Sequence, residues 1–273
     1  MVGRKMSGGH LSTTMGRKMS GGHSSTSIAR KMSGGHPSAS IAVSAALAAL
    51  LLLAACGRPV ADHPKDQAKP QLFLLTALPI VWGESFGLDQ QGSPVLAALE
   101  RDYRVTIIDL PSQVPDGGLL LAAQPRALPA EELVALDAWV RRGGRLLLLA
   151  DPLLEWPSEL PVGDPRRPPV AFADTGLLRH WGLGLDTPEE RGPRQLSLGS
   201  KPLLVASPGT LQPGGGGECG VGANGLIARC RLGEGRAVIV ADADFLHLGP
   251  GGLDGPTDGN LPALVSQLAD LSR

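Results

Sequence analysis

Apolar positions along this chain follow three different rhythms. Residues 41–53 read IAVSAALAALLLL, with Ser44 the one polar member. A helix crossing a bilayer needs roughly twenty apolar residues, so this run has instead the length of the apolar centre of a secretory signal. Further on, residues 72–78 (LFLLTAL), 145–150 (RLLLLA) and 236–241 (RAVIVA) are short, near-continuous apolar stretches. That is the pattern of strands buried on both faces. Between the first two, Leu133, Leu136 and Val140 recur at helical spacing. Pro129 stands near the start of that helix, Glu131 and Glu132 in its first turn, Arg141 and Arg142 in its last, and Gly143 just beyond. Each residue type sits at the end where the helix dipole and the open backbone groups favour it.

The remaining elements are shorter. Residues 94–102 predict a helix capped by Ser93, residues 105–109 a second strand and 119–122 a third. Residues 152–200 are rich in Pro, Gly and Arg and lose the periodicity, so they read as an insertion with a short helix at 175–181. A strand resumes at 203–206, residues 214–217 (four Gly) form a flexible loop, and Asn260 can cap a last helix. Its Leu261, Leu264, Leu268 and Leu271 share one face. Helix, tight turn and buried strand in succession are the unit of doubly wound α/β folds. The expected organisation is a leader over 1–55, a polar, Pro-containing tether over 56–70, and one α/β domain over 71–273. Its sheet should be open and mostly parallel, of flavodoxin or amidotransferase type, with a Pro/Gly-rich insertion at about 152–200.

The apolar run leads directly into Leu53-Ala54-Ala55-Cys56-Gly57. This resembles the lipobox of bacterial lipoproteins, in which small residues admit the signal peptidase and the cysteine thiol receives diacylglycerol. The expectation is a chain lipidated at Cys56, held at the membrane by acyl chains and facing the periplasm, on a membrane the sequence does not specify. An ordinary signal peptide, or an uncleaved helix with an incidental cysteine, is the competing reading. Upstream, Arg-Lys-Met-Ser-Gly-Gly-His occurs at residues 4–10, 17–23 and 30–36. Such copies cannot build a core. A start at Met19 would leave Arg30 and Lys31 as the positive flank of the signal; Met1 and Met32 are the other candidates.

Charge changes the picture once the leader is set aside. Residues 1–55 hold six of the 25 Lys and Arg residues and none of the 26 Asp and Glu, leaving 19 basic residues and a net charge of about −7 after Cys56. Nucleic acid is gripped by clustered Lys and Arg that displace counterions, so a nucleic-acid partner is not expected. Cys219 and Cys230 are an even pair in an exported chain, most simply a disulfide, with a redox pair or metal site as the alternative, and Asn224-Gly225 between them is a hairpin turn signal.

Three stretches carry a family resemblance: residues 78–84 (LPIVWGE), residues 136–145 (LDAWVRRGGR) with the following strand and Asp151-Pro152, and Gly233-Glu234-Gly235-Arg236 leading to Asp242-Ala243-Asp244-Phe245. In this order they resemble the auxiliary domains of uncharacterised ABC-type transport systems, including the gliding-motility type. Those domains are similar in fold to class I glutamine amidotransferases and to the sugar-linked ThuA-like proteins. The resemblance implies an accessory role beside a permease and an ATPase. The chain departs from the amidotransferase pattern at the third strand, which runs into Ala122-Ala123-Gln124-Pro125 with no cysteine or serine nucleophile. No nucleotide-binding motif occurs, so hydrolysis of ATP would fall to another chain.

In a parallel α/β sheet ligands bind outside the carboxyl ends of the strands. Trp82, Glu84, Asp151, Asp242, Asp244 and His247 should stand there. Their carboxylates could hold Ca²⁺ or Mg²⁺ through oxygen ligands, or accept hydrogen bonds from carbohydrate hydroxyls beside the Trp82 ring. The plainer reading is that an Asp after a strand caps the next turn. The two functional expectations are therefore a non-catalytic accessory or ligand-binding lipoprotein, needing no cofactor, and a carbohydrate-active or metal-dependent hydrolase using the acidic rim. His180-Trp181 reads as a packing pair.

Overall fold

The computed structural model describes residues 69–82, 93–249 and 259–273. All of them belong to one unit, Asp66–Arg273. The leader, the repeat, Cys56 and Glu84 lie outside the described residues.

The first half alternates strand and helix as its apolar runs require. Strand β1 (Gln71–Thr76) is followed by helix α1 (Pro94–Asp102), β2 (Arg104–Ile107), a 3₁₀ turn at Pro111–Gln113, and β3 (Leu119–Ala123). Helix α2 (Ala130–Arg141) and β4 (Arg145–Leu149) come next. Ser93 Oγ accepts from Leu96 N at 3.4 Å at the start of α1. Helix α2 ends at Gly143, whose φ of +100° is open to a residue without Cβ.

After β4 the chain leaves the main sheet. Helix α3 (Leu177–His180) precedes β5 (Leu183–Asp186), β6 (Pro193–Leu198), β7 (Lys201–Ala206) and β8 (Thr210–Pro213). Strands β6 and β7 form one antiparallel pair, and β5 and β8 another. The strand expected at 203–206 is therefore present, but its partner is β6 and not the central sheet. Strand β6, PRQLSL, alternates exposed and sheltered positions over only six residues, a half-buried pattern that Pro and Gly on both sides conceal.

The chain returns through β9 (Cys219–Val221), β10 (Ile227–Leu232) and β11 (Gly235–Val240), then a 3₁₀ turn at Asp244–Leu246 and helix α4 (Leu261–Ser272). The seven-stranded sheet has the order β2-β1-β3-β4-β11-β10-β9. Its first five strands are parallel, and β10 and β9 extend the sheet antiparallel. Cys219 and Cys230 occupy directly opposite positions on β9 and β10 and are disulfide-bonded.

Alternation along the buried strands sends side chains to both faces. Leu72, Leu74, Leu121, Leu147 and Leu149 pack with α1 and α4. Leu75, Leu120, Leu146 and Leu148 pack with α2 and α3, including Trp139 and Trp181. Trp181 is buried and donates Nε1–H to Asp137 at 2.8 Å, with Arg141 and His180 on the same carboxylate. Among the described residues no helix is long and apolar enough to cross a membrane.

Candidate functional site

The carboxyl ends of β3, β4 and β11 bring three of the expected residues together. Asp151 follows β4 by two positions, while Asp242 and Asp244 follow β11. All three are fully buried. Each carboxylate is used by backbone amides that the strand ends would otherwise leave unsatisfied. Asp151 accepts from Leu153 N at 2.8 Å and from Ala243 N at 2.9 Å. Asp242 accepts from Phe245 N at 2.9 Å and Ala206 N at 3.3 Å. Asp244 accepts from Glu155 N at 2.7 Å, and its other oxygen lies 3.1 Å from His247 Nε2.

Every one of these side chains ties two separate segments. Asp151 joins the end of β4 to the end of β11, Asp242 joins β11 to β7, and Asp244 joins the turn after β11 to the segment after β4. Such a knot carries an electrostatic cost. Burial, then the neighbouring charge of Asp244, pushes the Asp151 carboxyl up to about 7. Burial, then Asp151 and Asp244, raises Asp242 well above the usual carboxylate range.

Trp82 stands apart in character, 70% exposed. His247 is buried down to 9% exposure and its ring lies 4.6 Å from that of Trp156. Beside this pair a cavity of about 230 Å³ is lined by Glu155, Trp156, Ser158, Arg167 and Val170. Among the described residues no group of three or more His, Cys, Asp or Glu side chains is arranged to hold a metal ion.

The structure adds three residues to the knot. Gln124 is fully buried with φ +44°, and its amide bridges Asp151, donating to the Asp151 carbonyl at 3.0 Å and accepting from its N–H at 2.9 Å. Ser207 is fully buried with φ +48°, and its hydroxyl accepts from Gly192 N at 2.9 Å. Left-handed backbone at a non-glycine residue costs on the order of 1–3 kcal/mol and persists where surrounding bonds hold it.

The third is Asn260. Helix α4 begins beside it, as its sequence position predicts, but its side chain makes no capping bond. It accepts from Leu204 N at 2.9 Å and donates to the carbonyls of Leu204, Phe245 and Leu248. An amide can pair with a strand like another strand, and here it does so for β7. A sequence signal for much of this knot exists: β3, β4 and β7 all end in alanine, a polar residue and proline, at 123–125, 150–152 and 206–208. Proline disfavours the right-handed helical region for the residue before it, which marks Gln124, Asp151 and Ser207 as a set.

Residues 69–191 match a family described as an ABC-type uncharacterized transport system. The match to this transport-system family covers β1 through β5 and so includes Gln124 and Asp151. No curated protein matches the chain. Among solved structures, an exo-β-1,4-mannosidase from Opitutaceae bacterium strain TAV5 is 16% identical, with a TM-score of 0.40 over 75% of this chain and 35% of its own. The N-terminal domain of mmIFT52 is 13% identical with a TM-score of 0.43, over 74% of this chain and 97% of that one. A cytoplasmic protein, STM1381 from Salmonella typhimurium LT2, is 12% identical with a TM-score of 0.44, over 75% of this chain and all of that one. The chain spans about a third of the first glycosidase structures it matches.

Proposed function

We propose that this protein is a non-catalytic, periplasm-facing lipoprotein that serves as an accessory or ligand-binding component of an ABC-type transport system. The observation that carries the reading is the family match over residues 69–191. The geometry agrees with it. Asp151, Asp242 and Asp244 spend their oxygens on amides and on His247, which suits a rigid frame better than turnover, since a general base needs an oxygen free to reach substrate. Taken in chain order, the five parallel strands lie as 2-1-3-4-5, in accord with a flavodoxin-type doubly wound sheet. Exposed Trp82 supplies an apolar contact surface of the kind partners use. Cys56 is the anchor in this reading, and the ATPase is a separate chain.

Mild crosslinking in cells, detergent solubilisation, purification through a C-terminal tag and mass spectrometry test the assignment. The expected result is co-purification of an ABC permease and ATPase with a diacylglyceryl-modified N-terminal Cys56 peptide. A lipidated chain with no stoichiometric partner would sink the transport role, and an unmodified Cys56 would sink the anchor.

A further inference from the structure

At the opposite end of the sheet from the aspartate knot, arginines gather where their charge is poorly matched. Arg229 and Arg231 are alternate residues of β10 and so share one face. Arg231 lies directly opposite Arg236 of β11, a placement that sets Cβ atoms about 5 Å apart and is unfavourable for like charges. The three side chains line a cavity of about 210 Å³ whose other wall is Asp270 and Leu271 of α4.

Little nearby neutralises them. Arg229 gives one bond to Gln267 Oε1 at 2.7 Å, and Arg236 one to the Leu271 carbonyl at 3.1 Å. Each guanidinium has five donors, so most stay available. Arg231 makes no side-chain bond among the described residues. Its cross-strand neighbour Glu218 is turned away to Arg141, at 2.9 and 3.3 Å, and Asp270 is taken by Arg273. Arg141 and Arg142, by contrast, have acidic partners, Asp137 and Glu218 for the first and Asp116 for the second. Three cations around one acid, Asp270, that already holds Arg273 call for an anion with several oxygens. Guanidinium forks suit phosphate in particular.

We infer that the cleft between β10, β11 and the end of α4 binds a phosphate-bearing anion through Arg229, Arg231 and Arg236. The inference is independent of the transporter reading. Both a phospholipid headgroup and a soluble phosphate ester present this chemistry, and the cavity has room for a phosphate with a small substituent.

The test uses the detergent-solubilised full chain, titrated calorimetrically with inorganic phosphate and, separately, with dihexanoyl-phosphatidylglycerol below its micelle concentration. Saturable binding is expected, weakening with salt. Arg231→Ala should weaken it about tenfold or more and Arg231→Lys less, because an ammonium keeps charge but loses the fork. Arg231 is exposed and makes no side-chain bond among the described residues, so both variants should keep the parent melting temperature, which separates lost binding from lost folding. Tighter binding of the lipid identifies a headgroup site, and equal or tighter binding of phosphate a soluble-ester site. Absence of saturable binding of both probes into the millimolar range, or unchanged affinity in Arg231→Ala, overturns the inference.

Discussion

Moving this domain from pH 5 to pH 8 should make it less stable, and the aspartate knot sets the size of the effect. In the folded chain the Asp151 carboxyl titrates at about 7 in place of its ordinary 3.8. Between those values the folded state holds a proton that the unfolded chain has released. Stability from this group is therefore full below about pH 4 and is lost as pH rises through 7, at up to about 1.4 kcal/mol per pH unit. Across pH 5 to 8 the loss from Asp151 alone is about 3 kcal/mol, and Asp242, also raised, acts in the same direction. For a domain of this size that is a fall of about 5–10 °C in melting temperature. The carboxyls held low, Asp137, Glu218 and Asp164, lose their contribution only as pH falls through their own folded values, outside this window. Urea titrations and calorimetry at pH 5, 6, 7 and 8 measure the slope, and Asp151→Asn should flatten it. A domain as stable at pH 8 as at pH 5 would refute the assignment of a protonated carboxyl to the knot.

Other perturbations act on single ties. Gln124→Ala should cost about 3 kcal/mol in urea unfolding, because it strands the buried N–H of Asp151; Gln124→Gly should cost less, since glycine accepts the left-handed backbone. Replacing both Cys219 and Cys230 by serine should lower stability by about 3 kcal/mol through the entropy of the opened loop, with the same melting curve reached by reducing the parent protein. Asn260→Ala should accelerate amide hydrogen exchange at Leu204 while leaving β1 and β3 protected. Trp82→Ala should change stability by less than about 0.5 kcal/mol yet reduce the yield of crosslinked partner.

Local signals carried the fold well where a segment's partners are near in sequence. The helix at 130–141 and its strand were readable because Pro129, the two glutamates, the arginines and Gly143 all speak for the same ends. The cysteine pair was readable because Asn224-Gly225 turns the chain between them. Strands β5, β6 and β8 were not, since each is short and half-exposed, and β7 was readable as a strand at 203–206 but not in its pairing with β6. The three aspartates were correctly placed at the strand ends, but their burial could not be read there. It depends on segments arriving from far along the chain, 36 residues from Ala206 to Asp242 and 89 from Glu155 to Asp244. Asn260 shows the same limit: its position beside a helix was plain, and its use as a substitute strand partner was set by the fold.

The location of β11 has a bearing on how the chain is made. Although last in sequence among the described strands, it lies in the sheet interior between β4 and β10. Its turn also closes helix α2: Glu234 N donates to the Arg141 carbonyl at 3.0 Å, and a Cβ on Gly235 would run into the Val140 carbonyl. Until residue 240 has been synthesised, β4 presents an unpaired, largely apolar edge, and about 90 residues separate the two. At roughly 5–20 residues per second that edge stays open for about 5–20 s, long enough for edge-to-edge association with other chains. The stretch 69–191 is thus not a module that can mature first and wait. A nascent chain of this protein is safe only once β11 has arrived, and whatever escorts it before then must cover the β4 edge.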